Sequence, residues 1–164
     1  MAWVKVLKEE RFDTIRFPVG RLHEDEFTTY KLFHYAKKTV LSTKPLYYYW
    51  QREDSIMGLG FKTKNKLDYL DALAERASFF HDEGREGLSN RTYKSLFAEG
   101  LSTILVLDRQ KEEISKKEVF ARLKQAREAL RRDHNWKVGI FFEGYLLMPG
   151  MMTLAYKAFR LLKK

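Results

Sequence analysis

The second half of the chain is dominated by apolar residues that recur at three- and four-residue steps, the spacing of one face of an α-helix. One such stripe begins after Asn65, a second after Asn90 and a third after Ser115. Ser115 and Glu118 also have the spacing of a capping box, which predicts the start of the third helix. Residues 65–164 are therefore predicted to form a helical subdomain with the stripes in its core. The stripe residues are Leu67, Leu70, Leu73, Ala74, Ala77, Phe80, Tyr93, Leu96, Phe97, Leu101, Ile104, Leu105, Val119, Phe120, Leu123, Ala126 and Leu130.

Three adjacent carboxylates mark the start of another predicted helix, nearer the N-terminus. Glu24, Asp25 and Glu26 follow His23, where a loop leads into the helical pattern of residues 27–37. Negative charge is favourable at a helix N-terminus, so these acids are consistent with a charged first turn alone. They are equally consistent with a general base held beside a reacting group. Adjacent helical residues point about 100° apart, so at most two of the three side chains can face one site.

The next segment, residues 38–51, is rich in Val, Thr and Tyr. This composition predicts one or two short strands, interrupted at Pro45. The aromatic run from Tyr47 to Trp50 lies within the second part of the segment. Alternate members of such a run usually fill a core, and the other interpretation is a platform on which a ring can stack.

Two phrases in this region carry a family resemblance. FPVGRLHEDEFTTYKLF begins at Phe17 and KPLYYYWQREDSIM begins at Lys44. They resemble the phrases FPxGxxxEDExxxYKLF and KPLYYYRxRxxSIM of family 2 glycosyltransferases of the GT-A fold, and two phrases in the right order within about 40 residues form a specific signal. The opening AWVKVLKEERF is similar to AWNKLYKRELF of that family, with Val4 where Asn is usual.

The resemblance implies a fold class of α+β, mostly helical. Residues 1–64 would be a partial catalytic segment, with short strands from an incomplete GT-A (Rossmann-like) fold in the N-terminal third of the chain. Residues 65–164 would be a C-terminal helical appendage. The chain thus resembles the acceptor-side part of a larger enzyme, and Val4 puts any polar contact at that position in doubt.

The resemblance also implies a reaction, the inverting transfer of a sugar from a nucleotide-sugar donor to a hydroxyl group. Asp25 matches the residue that takes the acceptor proton, which is needed because an alcohol is a poor nucleophile near neutral pH. Glu24 is a second catalytic candidate, and Glu26 is expected to be structural.

Four further residues are predicted to bind substrate. Arg52 matches an arginine near the donor phosphates, where a guanidinium could bind the leaving diphosphate. A surface ion pair with a neighbouring acid is the alternative for Arg52. Tyr49 and Trp50 could stack on a sugar ring, and His23 could contact the acceptor or a metal.

The resembling enzymes hold a divalent metal, Mg²⁺ or Mn²⁺, with an Asp-x-Asp motif in their nucleotide-binding half. No Asp-x-Asp occurs in this chain, and Asp68 and Asp71 are spaced for one helical face. The metal is therefore implied by resemblance only, with its ligands expected in the missing half. No cysteine is present, and no two histidines are spaced for a zinc site.

Positive charge is concentrated in the last third of the chain. Residues 116–164 contain 12 Lys or Arg against four acids, so they carry +8 of the total of +9. Such a segment can meet phosphate, and a membrane surface is favoured over nucleic acid because no nucleic-acid motif accompanies the charge. The uncharged run of residues 144–156 is too short to span a bilayer. No secretory signal precedes the first phrase, so a cytoplasmic location is expected, with the inner face of the membrane as a further option.

Two functions remain open. The first is the acceptor-binding and general-base portion of a glycosyltransferase, which would use a nucleotide sugar and a glycan or lipid-linked acceptor in cell-surface polysaccharide synthesis. The second is a non-catalytic, truncated relative that binds a protein partner, a second copy or a membrane surface.

Overall fold

The computed structural model describes residues 6, 9–45, 48, 50, 63–132, 143, 144, 147, 148, 151, 154 and 158. The chain divides into two compact units, Met1–Ala72 and Leu73–Lys164. The functional division predicted between residues 64 and 65 remains a prediction.

Helices make up all the regular structure in the described ranges. A short 3₁₀ helix, Glu9–Phe12, precedes α1 (Glu24–His34), α2 (Thr63–Asp82), α3 (Glu86–Gln110) and α4 (Glu113–Arg132). Among the described residues, no helix is both long and apolar enough to cross a membrane.

The predicted α+β fold class was wrong for the part of the chain that the structure describes. Residues 38–45, 48 and 50, where the short strands of an incomplete GT-A fold were expected, have no strand. Their side chains are exposed, including Val40 and Leu41. A strand is stabilised by a hydrogen-bonded neighbour and by burial of one face, so a Val- and Tyr-rich composition alone does not create one.

The helical pattern was confirmed for residues 63–132, where the structure describes α2, α3 and α4. Leu70, Leu73 and Ala77 of α2 are buried, and α3 and α4 pack against each other in the second unit. The helices begin earlier than their apolar stripes, because a stripe records the buried face and not the polar first turn. The predicted stripe residues of α3 and α4 that are buried are Tyr93, Leu96, Phe97, Leu101, Ile104, Val119, Leu123 and Ala126. Leu107, which the predicted stripe did not include, is buried as well.

Both connections in the helical region are tight turns of the Schellman type. After α2, the backbone N–H of Arg85 donates to the Phe80 carbonyl at 2.7 Å and Gly84 donates to His81 at 2.9 Å. Gly84 has φ of +65°, a conformation that glycine adopts without a steric penalty. The buried Ser89 hydroxyl then donates to the Ala77 carbonyl at 2.8 Å, which ties the start of α3 to α2.

The turn between α3 and α4 uses a non-glycine residue in the same conformation. Lys111 has φ of +57°, and the Glu112 N–H donates to the Leu107 carbonyl at 3.1 Å. The predicted capping box was wrong, because α4 begins at Glu113 and the Ser115 hydroxyl donates to the Glu112 carboxylate at 3.0 Å.

Gly100 of α3 packs directly against Leu123 of α4. A Cβ atom at this position would lie 2.5 Å from Cδ2 and 3.0 Å from Cγ of Leu123, which is fully buried. We expect Gly100→Ala to destabilise the protein, because overpacking costs about 1–3 kcal/mol and the better helix propensity of alanine returns only about 1 kcal/mol. Urea denaturation followed by circular dichroism measures the difference.

Gly87→Ala is the matched control for that substitution. Gly87 also lies in α3, and a Cβ atom there would meet nothing within 4 Å. The control should be neutral or stabilising by up to about 1 kcal/mol. Equal effects of the two substitutions would contradict the close packing at Gly100.

Candidate functional site

The predicted carboxylates lie at the first turn of α1. His23 precedes the helix in a left-handed conformation, with φ of 60° and ψ of 40°, and its carbonyl accepts the Glu26 backbone N–H at 2.9 Å. Glu24 and Asp25 are the first two helical residues, and all three acids are partly buried. The helix α1 is anchored by its buried residues Phe27, Thr28 and Leu32.

Asp25, the second residue of α1, accepts a hydrogen bond from the backbone of its own helix. One carboxylate oxygen, Oδ1, accepts the backbone N–H of Glu26 at 3.1 Å. The pKa of Asp25 is lowered from its ordinary value: partial burial acts to raise it, and the hydrogen bond from the Glu26 backbone N–H acts to lower it. Asp25 is therefore ionised near neutral pH, the state in which a carboxylate can accept a proton.

The turn that leads into α1 is fastened to the first part of α2. Arg21 Nη1 donates to Oδ1 of Asp68 at 2.8 Å and to Oδ2 of Asp71 at 2.9 Å. The backbone N–H of Leu22 donates to the second oxygen of Asp68 at 3.0 Å. We call Arg21, Leu22, Asp68 and Asp71 the turn clamp. All four residues belong to the first compact unit.

His23 completes the turn clamp. Its Nε2 atom is hydrogen-bonded to Oδ1 of Asn65, and its ring centroid lies 5.0 Å from that of Tyr69. Asn65 and Tyr69 are four residues apart in α2, so they present one helical face to the ring. The predicted contact between His23 and an acceptor remains a prediction, and the contacts described for this ring are with α2.

Asp68 is the most deeply buried charge of the turn clamp, with 4% of its surface exposed. Burial acts to raise the pKa of Asp68, but the Leu22 N–H and the Arg21 guanidinium more than compensate and lower the pKa. The same pairing raises the pKa of Arg21. The pair is thus fully charged at neutral pH.

A pH dependence of stability follows from the lowered pKa of Asp68. The unfolded carboxyl has a pKa of about 3.9, so the folded protein binds fewer protons than the unfolded chain around that pH. The stabilisation by Asp68 should be complete above about pH 5 and fall as the pH drops through the unfolded and then the folded pKa. Urea titrations of the wild type and Asp68→Asn at neutral pH and near pH 3.5 should show a smaller difference in the free energy of unfolding at the lower pH. A difference that is unchanged would contradict this pairing.

The aromatic residues predicted to bind substrate are only partly described. Trp50 is exposed, and its ring centroid lies 6.4 Å from that of exposed Tyr48. Tyr49 and Arg52 lie outside the described residues. The structure thus brings His23, Glu24 and Asp25 together at one turn and places Trp50 on an exposed segment.

A divalent metal site does not form among the described residues. No group of three or more His, Asp or Glu side chains is arranged to hold an ion within that part of the chain. The described residues do not supply a ligand set, and because the ligands of the implied Mg²⁺ or Mn²⁺ were expected in the missing half, that metal remains a prediction.

The comparisons with known proteins give a class, the glycosyltransferases, to which the chain is related over about half of its length. It is 30% identical over 83 residues to Glycosyltransferase GlyA of Streptococcus pneumoniae serotype 4 (strain ATCC BAA-334 / TIGR4), a match that covers 51% of the chain and 12% of that protein. It is 31% identical over 74 residues to Glycosyltransferase GlyG of the same strain, covering 45% of the chain and 25% of that relative.

The chain matches only a minor part of each of these two relatives. No family model matches the chain, and no solved structure matches it significantly.

Proposed function

We propose that this chain is the acceptor-side portion of an inverting glycosyltransferase of the family 2, GT-A type. The observation that carries the proposal is the position of the Asp25 carboxylate at the first turn of α1, within a phrase that resembles the general-base motif of that family. The partial similarity to two streptococcal glycosyltransferases supports the class. A role in cell-surface polysaccharide synthesis is part of the same proposal.

In the proposed reaction, the acceptor hydroxyl attacks the anomeric carbon of a nucleotide sugar. Asp25 removes the hydroxyl proton as the new carbon–oxygen bond forms, which raises the nucleophilicity of the oxygen. The bond from the anomeric carbon to the diphosphate breaks on the opposite side, and its electrons leave with the nucleoside diphosphate. One displacement of this kind inverts the anomeric configuration.

Other residues would assist this step by binding. Arg52 would bind the departing diphosphate, and Tyr49 and Trp50 would stack on a sugar ring. Glu24, the second catalytic candidate, is adjacent to the base in the first turn of α1. The acceptor would be a glycan or a lipid-linked sugar.

A transfer assay on the natural gene product that carries this segment tests the proposal. The enzyme is incubated with UDP-, GDP- and dTDP-sugars with and without a panel of glycan acceptors, and release of free nucleoside diphosphate is measured. Release that depends on an acceptor, with an inverted anomeric centre by NMR, is expected. Absence of acceptor-dependent transfer across the panel would refute the enzymatic proposal.

A second candidate function is binding to an anionic membrane surface. Leu147, Met148, Met151 and Leu154 are exposed apolar residues within the segment that carries most of the positive charge. Apolar residues combined with Lys and Arg are typical of segments that lie in the lipid interface. Co-flotation with phosphatidylglycerol vesicles but not with phosphatidylcholine vesicles would support this function, and a non-catalytic relative would show it without any transfer.

A further inference from the structure

The turn clamp joins three consecutive residues of one segment to a single helix. Arg21 contributes its guanidinium, Leu22 its backbone N–H and His23 its ring, and all of their partners lie in the first three turns of α2. Contacts from three adjacent residues fix the direction of the backbone as well as its position.

Asp68 is the centre of this arrangement. Its two carboxylate oxygens accept from different donors, Oδ1 from the Arg21 side chain at 2.8 Å and Oδ2 from the Leu22 backbone at 3.0 Å. Its side chain is 5% exposed, compared with 24% for Asp71, which meets the same nitrogen of Arg21. A buried carboxylate with both oxygens engaged has little freedom to move, so it can hold the turn in one place.

The turn clamp leads directly into the proposed base. After Leu22, the chain passes through the left-handed residue His23 and enters α1, whose second residue is Asp25. Consecutive Cα atoms are about 3.8 Å apart, so a shift of the turn is passed on to Asp25. A proton acceptor must lie within hydrogen-bond reach of the acceptor hydroxyl, and displacement by about 1 Å can cost about 100-fold in rate.

We propose that Asp68 is a positioning residue for the reaction, which fixes the Arg21–His23 turn and thereby sets where α1 presents Asp25. This inference rests on the proposed function for its catalytic meaning. Asp68 acts through Arg21 and Leu22, and it does not touch the reacting atoms.

Asp68→Asn in the natural gene product tests the inference. Asparagine has nearly the same size, but its amide nitrogen cannot accept a hydrogen bond, so either the Leu22 N–H loses its acceptor or Arg21 keeps only Asp71 as an acceptor. We expect kcat per folded molecule to fall about 10- to 100-fold, with KM for the nucleotide sugar within about 2-fold of the wild type, because donor binding is left intact. In the same variant, amide hydrogen exchange at Leu22 should accelerate by about 10-fold or more.

Asp108→Asn is the matched control. Asp108 is an aspartate at the end of α3 that pairs with Lys116, in the second unit. Its loss should leave kcat and the exchange rate of Leu22 unchanged. If Asp68→Asn does not fold, Arg21→Met replaces it, since Arg21 is 45% exposed and a methionine can keep its apolar stem in place.

The outcomes separate the two proposals. The positioning role would be overturned by an unchanged kcat per folded molecule, by unchanged exchange at Leu22, or by an equal loss in Asp108→Asn. Transfer by the wild type would still support the proposed enzyme in each of these cases. A wild type without transfer would refute the proposed function and the catalytic meaning of Asp68 together. The exchange rates would then decide only whether Asp68 fixes the turn.

Discussion

Asp25→Asn should reduce sugar transfer by the natural gene product about 100- to 10,000-fold, the usual contribution of a positioned general base. Asparagine can still accept the Glu26 N–H through its side-chain oxygen, so the first turn of α1 should keep its geometry. It cannot accept a proton at neutral pH. The loss should therefore appear in kcat, measured at saturating nucleotide sugar, and donor binding measured by calorimetry should be unchanged.

Glu26→Gln is the matched control for the Asp25 variant. Glu26 belongs to the same turn and loses the same charge on substitution, but it is expected to be structural. Its transfer rate should stay within about 3-fold of the wild type, as expected for a group with no part in proton transfer. Full turnover by Asp25→Asn, or an equal loss in both variants, would rule out Asp25 as the base.

Leu123→Ala should have the largest effect on folding, lowering the free energy of unfolding by about 2–5 kcal/mol. Leu123 is fully buried in α4 and packs against the surface of α3 at Gly100. Removing its side chain leaves a cavity that two long helices cannot easily close. Urea denaturation, with the slope checked for two-state behaviour, gives the difference directly.

Gly100→Ala should have opposite effects on the free energy of unfolding in the wild type and in the Leu123→Ala variant. Gly100→Ala is expected to destabilise the wild type, because its new Cβ meets Leu123. In the Leu123→Ala background that obstacle is absent, so Gly100→Ala should stabilise by up to about 1 kcal/mol. A double-mutant cycle measures this coupling, and additive effects would show that the two residues do not meet.

The sequence predicts the helical region well, because helical periodicity is a local property. Leu70, Ile104 and Leu123 could be assigned to the core from spacing alone, and all three are fully buried. The strands expected in residues 38–51 depend on a hydrogen-bonded neighbour that spacing cannot supply. Val40 and Tyr48 have suitable side chains, yet they are exposed in segments without a strand.

The candidate site could be predicted only in part. The carboxylates of Glu24 and Asp25 were visible as a charged first turn, and the structure places them there. Arg21, Asn65 and Asp68 were not identified as one group, because Arg21 and Asp68 are separated by 47 residues. The available signal was the spacing of Asp68 and Asp71 on one helical face. Two neighbouring carboxylates favour a cationic partner, but their spacing does not identify that partner.

The turn clamp also has a consequence for how this chain can diversify. Its contacts bring together two points 47 residues apart, and residues 38–62 lie within the resulting closed loop. The entropy of closing a flexible loop grows only with the logarithm of its length, so a doubling costs about 0.6 kcal/mol. Changes of length in that interval should therefore cost little stability, as long as the contacts of Arg21 with Asp68 keep the two ends of the loop in place.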